Sequence, residues 1–146
     1  MIERVEDMPV YQLFFSLAQE VEQATRDFGP DFRWLRVQIL RSSESVCANL
    51  TEGFYAQYST EYLQALFRSR REGRETATHL KYGETVRQLS AETTASLLSR
   101  YEEAFRQLAN LIASIERKIQ ERGKGKPGSS VLKEDEVEYG GGREDG

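Results

Sequence analysis

The region between residues 98 and 119 carries an apolar pattern that few folds can accommodate. Its apolar side chains are spaced alternately three and four residues apart through three heptads. The residues are Leu98, Tyr101, Phe105, Leu108, Ile112, Ile115 and Ile119. This spacing is typical of a helix that packs knobs into holes against its neighbours, as the helices of antiparallel four-helix bundles do. The pattern therefore predicts one long helix of such a bundle.

Short interruptions in the sequence divide the remaining chain into three further helices. The interruptions lie at 29–30, 55–58 and 89–90. Pro9 suits the first turn of a helix, and Ser59 and Ser90 suit N-cap positions. The predicted helices span 9–28, 31–54, 59–89 and 91–121. Because short links join antiparallel neighbours, we predict an all-α, antiparallel up-down-up-down four-helix bundle.

The glycine content separates the helical body from the C-terminal end. Of the 11 glycines, only four precede residue 123, and the last 24 residues contain the other seven. These last residues are also acidic overall and show no core-forming pattern. We predict a bundle domain over residues 1–122, followed by a disordered, Gly-rich acidic tail over residues 123–146.

Charge and cysteine content narrow the classes of protein that this chain can belong to. The net charge is −4, which argues against a dedicated nucleic-acid binder, although residues 33–87 carry nine basic and six acidic groups. No run approaches the roughly 18 apolar residues that cross a bilayer, and the N-terminus lacks the pattern of a signal peptide. The single cysteine, Cys47, cannot form an internal disulfide. We expect a cytoplasmic protein with no membrane partner.

The second predicted helix places small and polar residues where a core helix usually carries aliphatic ones. Asn49 and Gly53 share an inward sector of about 100° with Leu35 and Ile39. In a structural interpretation, Asn49 satisfies buried groups, Glu52 pairs with a donor, and Gly53 lets two helices approach closely. In a functional interpretation, Asn49 and Glu52 recognise a ligand. We favour the structural interpretation because inward polar residues usually have internal partners.

The same helix carries a second apolar strip on nearly the opposite side. The strip consists of Val37, Leu40, Cys47 and Phe54. A helix of a small domain normally turns one face to the core and the other to water, so two apolar faces indicate contact with another chain. We therefore predict that these four residues form an oligomer interface.

The sequence contains no recognisable catalytic constellation. His79 is the only histidine and no glutamate stands three residues before it, whereas di-iron bundles use Glu-x-x-His pairs. Cys47 lies in mid-helix with no histidine nearby in sequence, which favours packing over nucleophilic catalysis. Phosphate-binding glycine loops are also missing from the sequence. We predict that the protein is not an enzyme and uses neither a metal nor a cofactor.

Four basic residues share a sector of about 100° on the third predicted helix. This basic sector consists of Arg70, Arg71, Arg74 and Lys81. In a monomer such a sector is usually a solvated surface, and Glu72, Glu75 and Glu84 are interleaved with it. In a cyclic oligomer the sector would repeat around the axis and form a ring that attracts phosphates. The basic sector is therefore the candidate nucleic-acid-binding site.

A set of residues in the second and third predicted helices forms a recognisable signature: Gln38, Ser42, Ser43, Ser45, Asn49, Leu50, Glu52 and Gly53, then Tyr58, Ser59, Glu61, Tyr62 and Glu75. This signature resembles that of a known family, the four-helix-bundle proteins of bacterial 23S ribosomal RNA intervening sequences. The resemblance covers residues 10–118. The sequence departs from the family at Cys47, where proline is usual, and at Ser69, Arg71 and Glu72, which replace an Ala-x-Gly-Ser pattern.

The resemblance implies assembly into a cyclic homo-oligomer, a pentamer. Proteins similar to this family include accessory subunits of diversity-generating retroelements, pentamers whose basic surface is associated with nucleic acid and reverse transcriptase. We therefore predict a non-enzymatic, ring-forming accessory protein that binds RNA, or another nucleic acid, through the basic sector. The alternative is a helical scaffold for a protein partner, in which the basic sector is only a solvated face.

Overall fold

Four α-helices make up the protein in a computed structural model that describes residues 1–125. They are α1 (Pro9–Ala24), α2 (Arg33–Phe54), α3 (Ser59–Thr85) and α4 (Ala91–Gly125). Each helix packs against the next, and α1 also packs against α4. The described residues contain no β-strand. The predicted all-α four-helix bundle is therefore confirmed.

The core is built around the predicted stripe of α4. Tyr101, Leu108 and Ile115 are fully buried, and the rings of Tyr101 and Phe105 lie about 6 Å from the ring of Phe14 on α1. Leu98 and Ile119, at the two ends of the stripe, are only half-buried. The buried surface is also wider than the heptad, since it includes Leu97, Ala104 and Leu111. The reason is that α4 contacts both α1 and α3, so a wider arc of its surface is covered.

Three of the predicted helix ends differ from the observed ones. Helix α1 stops at Ala24 rather than residue 28, where the Thr25 hydroxyl turns back to donate to the carbonyl of Val21 at 2.7 Å. Helix α3 stops at Thr85 rather than residue 89, because Arg87 adopts a left-handed conformation with φ of 66°. Helix α4 continues to Gly125, past the predicted boundary at residue 122. Beyond Gly125, the predicted tail lies outside the described residues.

Of the three residues predicted to begin or cap a helix, two do so. Pro9 occupies the first turn of α1, and the Ser90 hydroxyl accepts a hydrogen bond from the amide of Thr93 at 3.0 Å, as an N-cap does. The expectation for Ser59 is wrong, because Tyr58 is the N-cap residue of α3. Ser59 already belongs to the helix and its side chain is buried.

The contact between α2 and α3 is made by small polar residues as well as aliphatic ones. The hydroxyl oxygens of Ser42 and Thr76 are 2.6 Å apart, and the Ser69 hydroxyl donates to the carbonyl of Val46 at 3.0 Å. The three hydroxyls are buried, and each has a hydrogen-bond partner inside the protein. Small side chains let the two helices approach closely, and this close contact determines which faces of α3 point away from α2.

Candidate nucleic-acid interface

All four residues of the basic sector lie on the exposed surface of α3. They are separated by one, three and seven residues along one continuous helix, so its 3.6-residue repeat brings them to the same side. The structure therefore places Arg70, Arg71, Arg74 and Lys81 on one surface. Whether that surface is basic depends on the glutamates that alternate with them in the sequence.

Two of these glutamates turn away from the basic sector and towards α2. Arg41 on α2 donates to Glu72 at 3.3 Å and to Glu75 at 2.5 Å, and the Nε2 atom of His79 lies 3.3 Å from the Glu75 carboxylate. Partial burial acts to raise the pKa of Glu75, but the hydrogen bonds from Arg41 and His79 hold that pKa below its usual value. Both carboxylates are thus neutralised within the α2–α3 seam and do not neutralise the cations on the outer face.

The four cations of the basic sector differ in their local partners. Arg74 pairs with Glu102 of α4 at 2.9 Å, and its guanidinium carbon lies 3.9 Å from the centre of the Phe105 ring. Arg70 stacks over the ring of Phe67 at 5.2 Å. Within the part of the chain that the structure describes, Arg70, Arg71 and Lys81 form no salt bridge. Three of the four cations therefore carry uncompensated positive charge at the surface.

Asn49 and Glu52 share one partner, Arg68 of α3, which the sequence-based prediction does not include. The Nε atom of Arg68 donates to the side-chain oxygen of Asn49 at 2.9 Å, and its Nη2 atom donates to Glu52 at 3.3 Å. The amide nitrogen of Asn49 in turn donates to the carbonyl of Ser45 at 2.9 Å. The polar atoms of Asn49 are thus used inside the protein, as in the structural interpretation of this motif.

A geometric signal for Arg68 is present in the sequence. In an antiparallel helical hairpin, residues at equal distance from the turn lie opposite each other. With the turn at residues 55–58, the partner of Asn49 is expected close to residue 64 to 68, and Arg68 is a cation in that range. The same rule places residues 67 to 71 opposite Val46, and Ser69 in that range donates to its carbonyl.

Gly53 lies where α2 and α3 approach each other most tightly along this motif. A methyl group placed on Gly53 would be 2.7 Å from the Cβ atom of Ala65 and 2.8 Å from the Tyr62 ring. These distances are well below van der Waals contact. The position agrees with the close approach that the sequence analysis expects of Gly53.

The structure divides the predicted oligomer strip into two parts. Val37 is 59% exposed and Leu40 is half-buried, but Cys47 and Phe54 are only 5% and 3% exposed and belong to the core of the chain itself. The prediction that all four residues await a second chain is therefore wrong for Cys47 and Phe54. The physical reason is that α2 has two neighbours, α1 and α3, so the second half of this strip is covered inside the bundle.

A largely apolar groove, here called the α1–α2 groove, runs between these two helices. Its volume is about 670 Å³. The apolar part of its lining is formed by Tyr11, Phe15, Ala18, Leu40, Cys47 and Ala48. Phe15 remains 45% exposed. The groove extends the exposed apolar surface that Val37 and Leu40 begin.

The Cys47 thiol that lines the groove is not activated as a nucleophile. Burial, with a smaller contribution from Glu44, raises the pKa of the Cys47 thiol to about 12, so the thiol stays protonated near neutral pH. Among the described residues, no cluster of three or more His, Cys, Asp or Glu side chains is arranged to hold a metal ion. Nor is any helix of the described residues long and apolar enough to cross a membrane.

Comparison with known proteins adds one match. A family model described as "23S rRNA-intervening sequence protein" matches residues 6–110, which is more than half of the 146-residue chain. The match contains the Asn49–Gly53 motif and the whole basic sector. No curated protein matches the chain.

Proposed function

The chain belongs to the 23S rRNA-intervening sequence protein family, and from this premise we propose that it is a cytoplasmic, ring-forming accessory protein that binds RNA through its basic sector. The family is not a known enzyme family, and we propose a non-enzymatic role. The proposed partners are further copies of the same chain and a single RNA, whose phosphates are held by α3.

One observation carries this proposal: the charge of α3 is separated between its two sides. Glu72 and Glu75 are engaged by Arg41 in the seam with α2, whereas Arg70, Arg71 and Lys81 have no acidic partner among the described residues. A solvated face with mixed charges has little affinity for phosphate. With Glu72 and Glu75 withdrawn, Glu84 is the one interleaved acid left exposed beside the sector, so the face keeps an excess of positive charge that attracts a polyanion.

Assembly is needed to make this face effective. Three uncompensated cations on one protomer neutralise too few phosphates for tight binding, because each phosphate contact contributes only modestly at physiological salt. In a cyclic pentamer, which the resemblance to the family implies, the face is repeated five times. The surface proposed to join the protomers is the exposed part of the predicted strip, Val37 and Leu40, together with Phe15 at the edge of the α1–α2 groove.

The test of RNA binding is its dependence on salt. Replacing Arg70, Arg71 and Lys81 together by glutamine should weaken binding of a single-stranded RNA. It should also reduce the slope of log K against log salt by about 2 per protomer in contact, since each lost phosphate contact removes roughly 0.7 of slope. Affinities at two or more salt concentrations, measured by fluorescence anisotropy of labelled RNA, give the slope.

A matched control removes the same charge from paired positions. Arg4, Arg26 and Arg106 are exposed arginines that already pair with carboxylates within one helical turn. Their triple change to glutamine should leave the slope nearly unchanged, because these side chains are not available to phosphates. Equal slopes in the two triple variants, or no RNA affinity of the parent protein at low salt, would contradict the proposal.

The second candidate function is a helical scaffold that binds another protein. The observation in its favour is the α1–α2 groove, in which Phe15 stays 45% exposed. If the purified oligomer has no RNA affinity at low salt and still binds an apolar dye that Phe15→Asp abolishes, the groove remains open after assembly. That result would favour the scaffold.

A further inference from the structure

Two large aromatic side chains lie together on the surface of α2 and α3, far from the turn that joins these helices. Trp34 near the start of α2 is 52% exposed and Tyr82 near the end of α3 is 45% exposed. Their ring centres are 5.9 Å apart and the rings are tilted by 50°. Trp34 is the only tryptophan of the chain. Since aromatic rings are usually buried in a core, an exposed pair of this kind indicates a surface that meets a ligand.

The immediate surroundings of the pair are basic. Arg33 precedes Trp34 and Lys81 precedes Tyr82, both exposed, and Arg87 lies in the turn that follows α3. In the part of the chain that the structure describes, none of these three cations forms a salt bridge. Two exposed acids are also near, Asp31 one turn before Trp34 and Glu84 two residues after Tyr82. Three cations against two acids leave a positive excess around the rings, which favours an anion.

The pair is also distinct from the surface proposed for assembly. Val37 follows Trp34 by three residues, which turns it by about 60° around α2. Val37 lies on the side of Leu40, which lines the α1–α2 groove, whereas Trp34 lies on the side of α3 and contacts Tyr82. A protomer docked over Val37 and Leu40 can therefore leave the two rings open.

We propose that Trp34 and Tyr82 form a stacking site for unpaired bases of a single-stranded RNA, while Arg33, Lys81 and Arg87 hold its phosphates. The inference rests on the proposed function, which it extends from phosphate contact to base contact. Exposed aromatic rings between cations are the usual elements of single-strand binding, because every unpaired base offers a flat face. The bases of a duplex are already stacked on each other, so a duplex cannot use this site.

Trp34 itself reports on the contact. Titrating the oligomer with a 12-nucleotide oligo(A) at low salt should quench the fluorescence of Trp34, whereas an RNA duplex of the same length should bind through the cations with little quenching. Trp34→Ala should lower the oligo(A) affinity by about fivefold to a hundredfold and leave the duplex affinity unchanged. Trp34→Phe, which keeps a ring, should retain most of the affinity.

Tyr55→Ala is the matched control, because Tyr55 is an equally exposed ring at the opposite end of α2, outside the surface proposed for assembly. It should leave both affinities unchanged, and circular dichroism should show that all variants stay folded. If neither RNA binds at low salt, the proposed function fails. If both bind but Trp34 is not quenched and Trp34→Ala is neutral, only the stacking site fails. If Trp34→Ala dissociates the oligomer, as seen by light scattering, the pair is a protein contact and the inference is overturned.

Discussion

At the scale of single residues, the α2–α3 seam depends on side chains that are small or missing. Gly53 admits the Tyr62 ring and the Ala65 methyl, while Ser42 and Thr76 satisfy each other's hydroxyls in a site without water-exposed atoms. Here the close approach brings Arg68 and Arg41 within reach of partners on the facing helix.

Gly53→Ala should lower the free energy of unfolding by about 1–3 kcal/mol, because the new methyl would lie 2.7 Å from Ala65 and force the helices apart. The gain in helix propensity, about 1 kcal/mol, offsets only part of this cost. Gly123→Ala is the control, since no atom lies within 4 Å of a methyl group placed there, and it should be neutral or slightly stabilising. Urea unfolding of both variants measures the difference. Equal stabilities would contradict the close packing at Gly53.

The Cys47 thiol should make stability depend on alkaline pH. Burial raises its pKa to about 12 in the folded protein, against an ordinary value of 9.0. The folded state therefore keeps a proton that the unfolded state loses, and this contribution is fully present below pH 9 and is lost progressively between pH 9 and 12. Between pH 8 and pH 10 the parent should lose about 1 kcal/mol more stability than Cys47→Ala.

Unfolding by urea at pH 8 and pH 10 tests this dependence. The pH should not exceed 10, because burial also raises the pKa of Tyr101, whose contribution is lost at higher pH. The comparison uses each variant's own change with pH, so the cavity left by Cys47→Ala does not affect it. An identical loss in the two proteins would show that Cys47 is accessible to water in the folded state.

At the scale of the helices, α3 and α4 play different parts. Helix α4 supplies much of the core through one continuous buried stripe. Helix α3 is thinner in apolar residues. Its Glu72 and Glu75 pair across the seam with Arg41 of α2, whereas the basic sector lies on its exposed side. The end of α3 is also defined locally, because the amides of Arg87 and Gln88 donate to the carbonyls of Glu84 and Gly83 in a Schellman arrangement.

Truncation of the α4 stripe should cost much of the total stability. Phe105→Ala and Ile112→Ala should each lower the free energy of unfolding by about 2–5 kcal/mol, because both side chains are about 95% buried and would leave cavities. A domain of this size has about 5–15 kcal/mol in all. Asn110→Ala, at an exposed position of the same helix, should stay within about 0.5 kcal/mol. Thermal melting of the three variants measures this, and melting of all three within a degree or two of the parent would contradict the assigned core.

At the scale of the whole molecule, the important distinction is between apolar residues that the bundle buries and those that it leaves exposed. Phe54 and Cys47 belong to the first group, and Val37, Leu40 and Phe15 to the second or to its edge. On α2 the exposed residues lie in the first half of the strip and the buried ones in the second half. Substitutions at the buried positions should therefore affect folding, and those at the exposed positions should affect the proposed assembly.

Val37→Glu and Leu40→Glu should therefore give folded but dissociated protein, whereas Phe54→Glu should unfold the bundle. A charge at the first two positions stays in contact with water in the free protomer, but at Phe54 it would be buried without a partner. Light scattering should report 16.8 kDa for the first two variants and a multiple of that mass for the parent. A monomeric parent would remove the ring from the proposed function, and a folded Phe54→Glu variant would contradict the assigned core.

Much of this protein could be predicted from local patterns. The four helices, their order, the stripe of α4, and the caps at Pro9 and Ser90 all depend on spacings within one helix, which the sequence displays directly. The ends of α1 and α3 differ from the predicted ones. Thr25 ends α1 through a hydroxyl turned back onto the helix, and Arg87 ends α3 in a left-handed conformation, and neither residue type indicates such an end in the sequence.

The sequence by itself determined that the chain forms a bundle and that Arg70, Arg71, Arg74 and Lys81 share one side of α3, since the helical repeat alone places residues on faces. Only the tertiary structure decided which faces are free. Packing of α2 between α1 and α3 buried Cys47 and Phe54, drew Glu72 and Glu75 towards Arg41, and brought Trp34 next to Tyr82. These outcomes depend on the distance and rotation between two helices, which arise from side chains on both of them, and no pattern within a single helix contains that information.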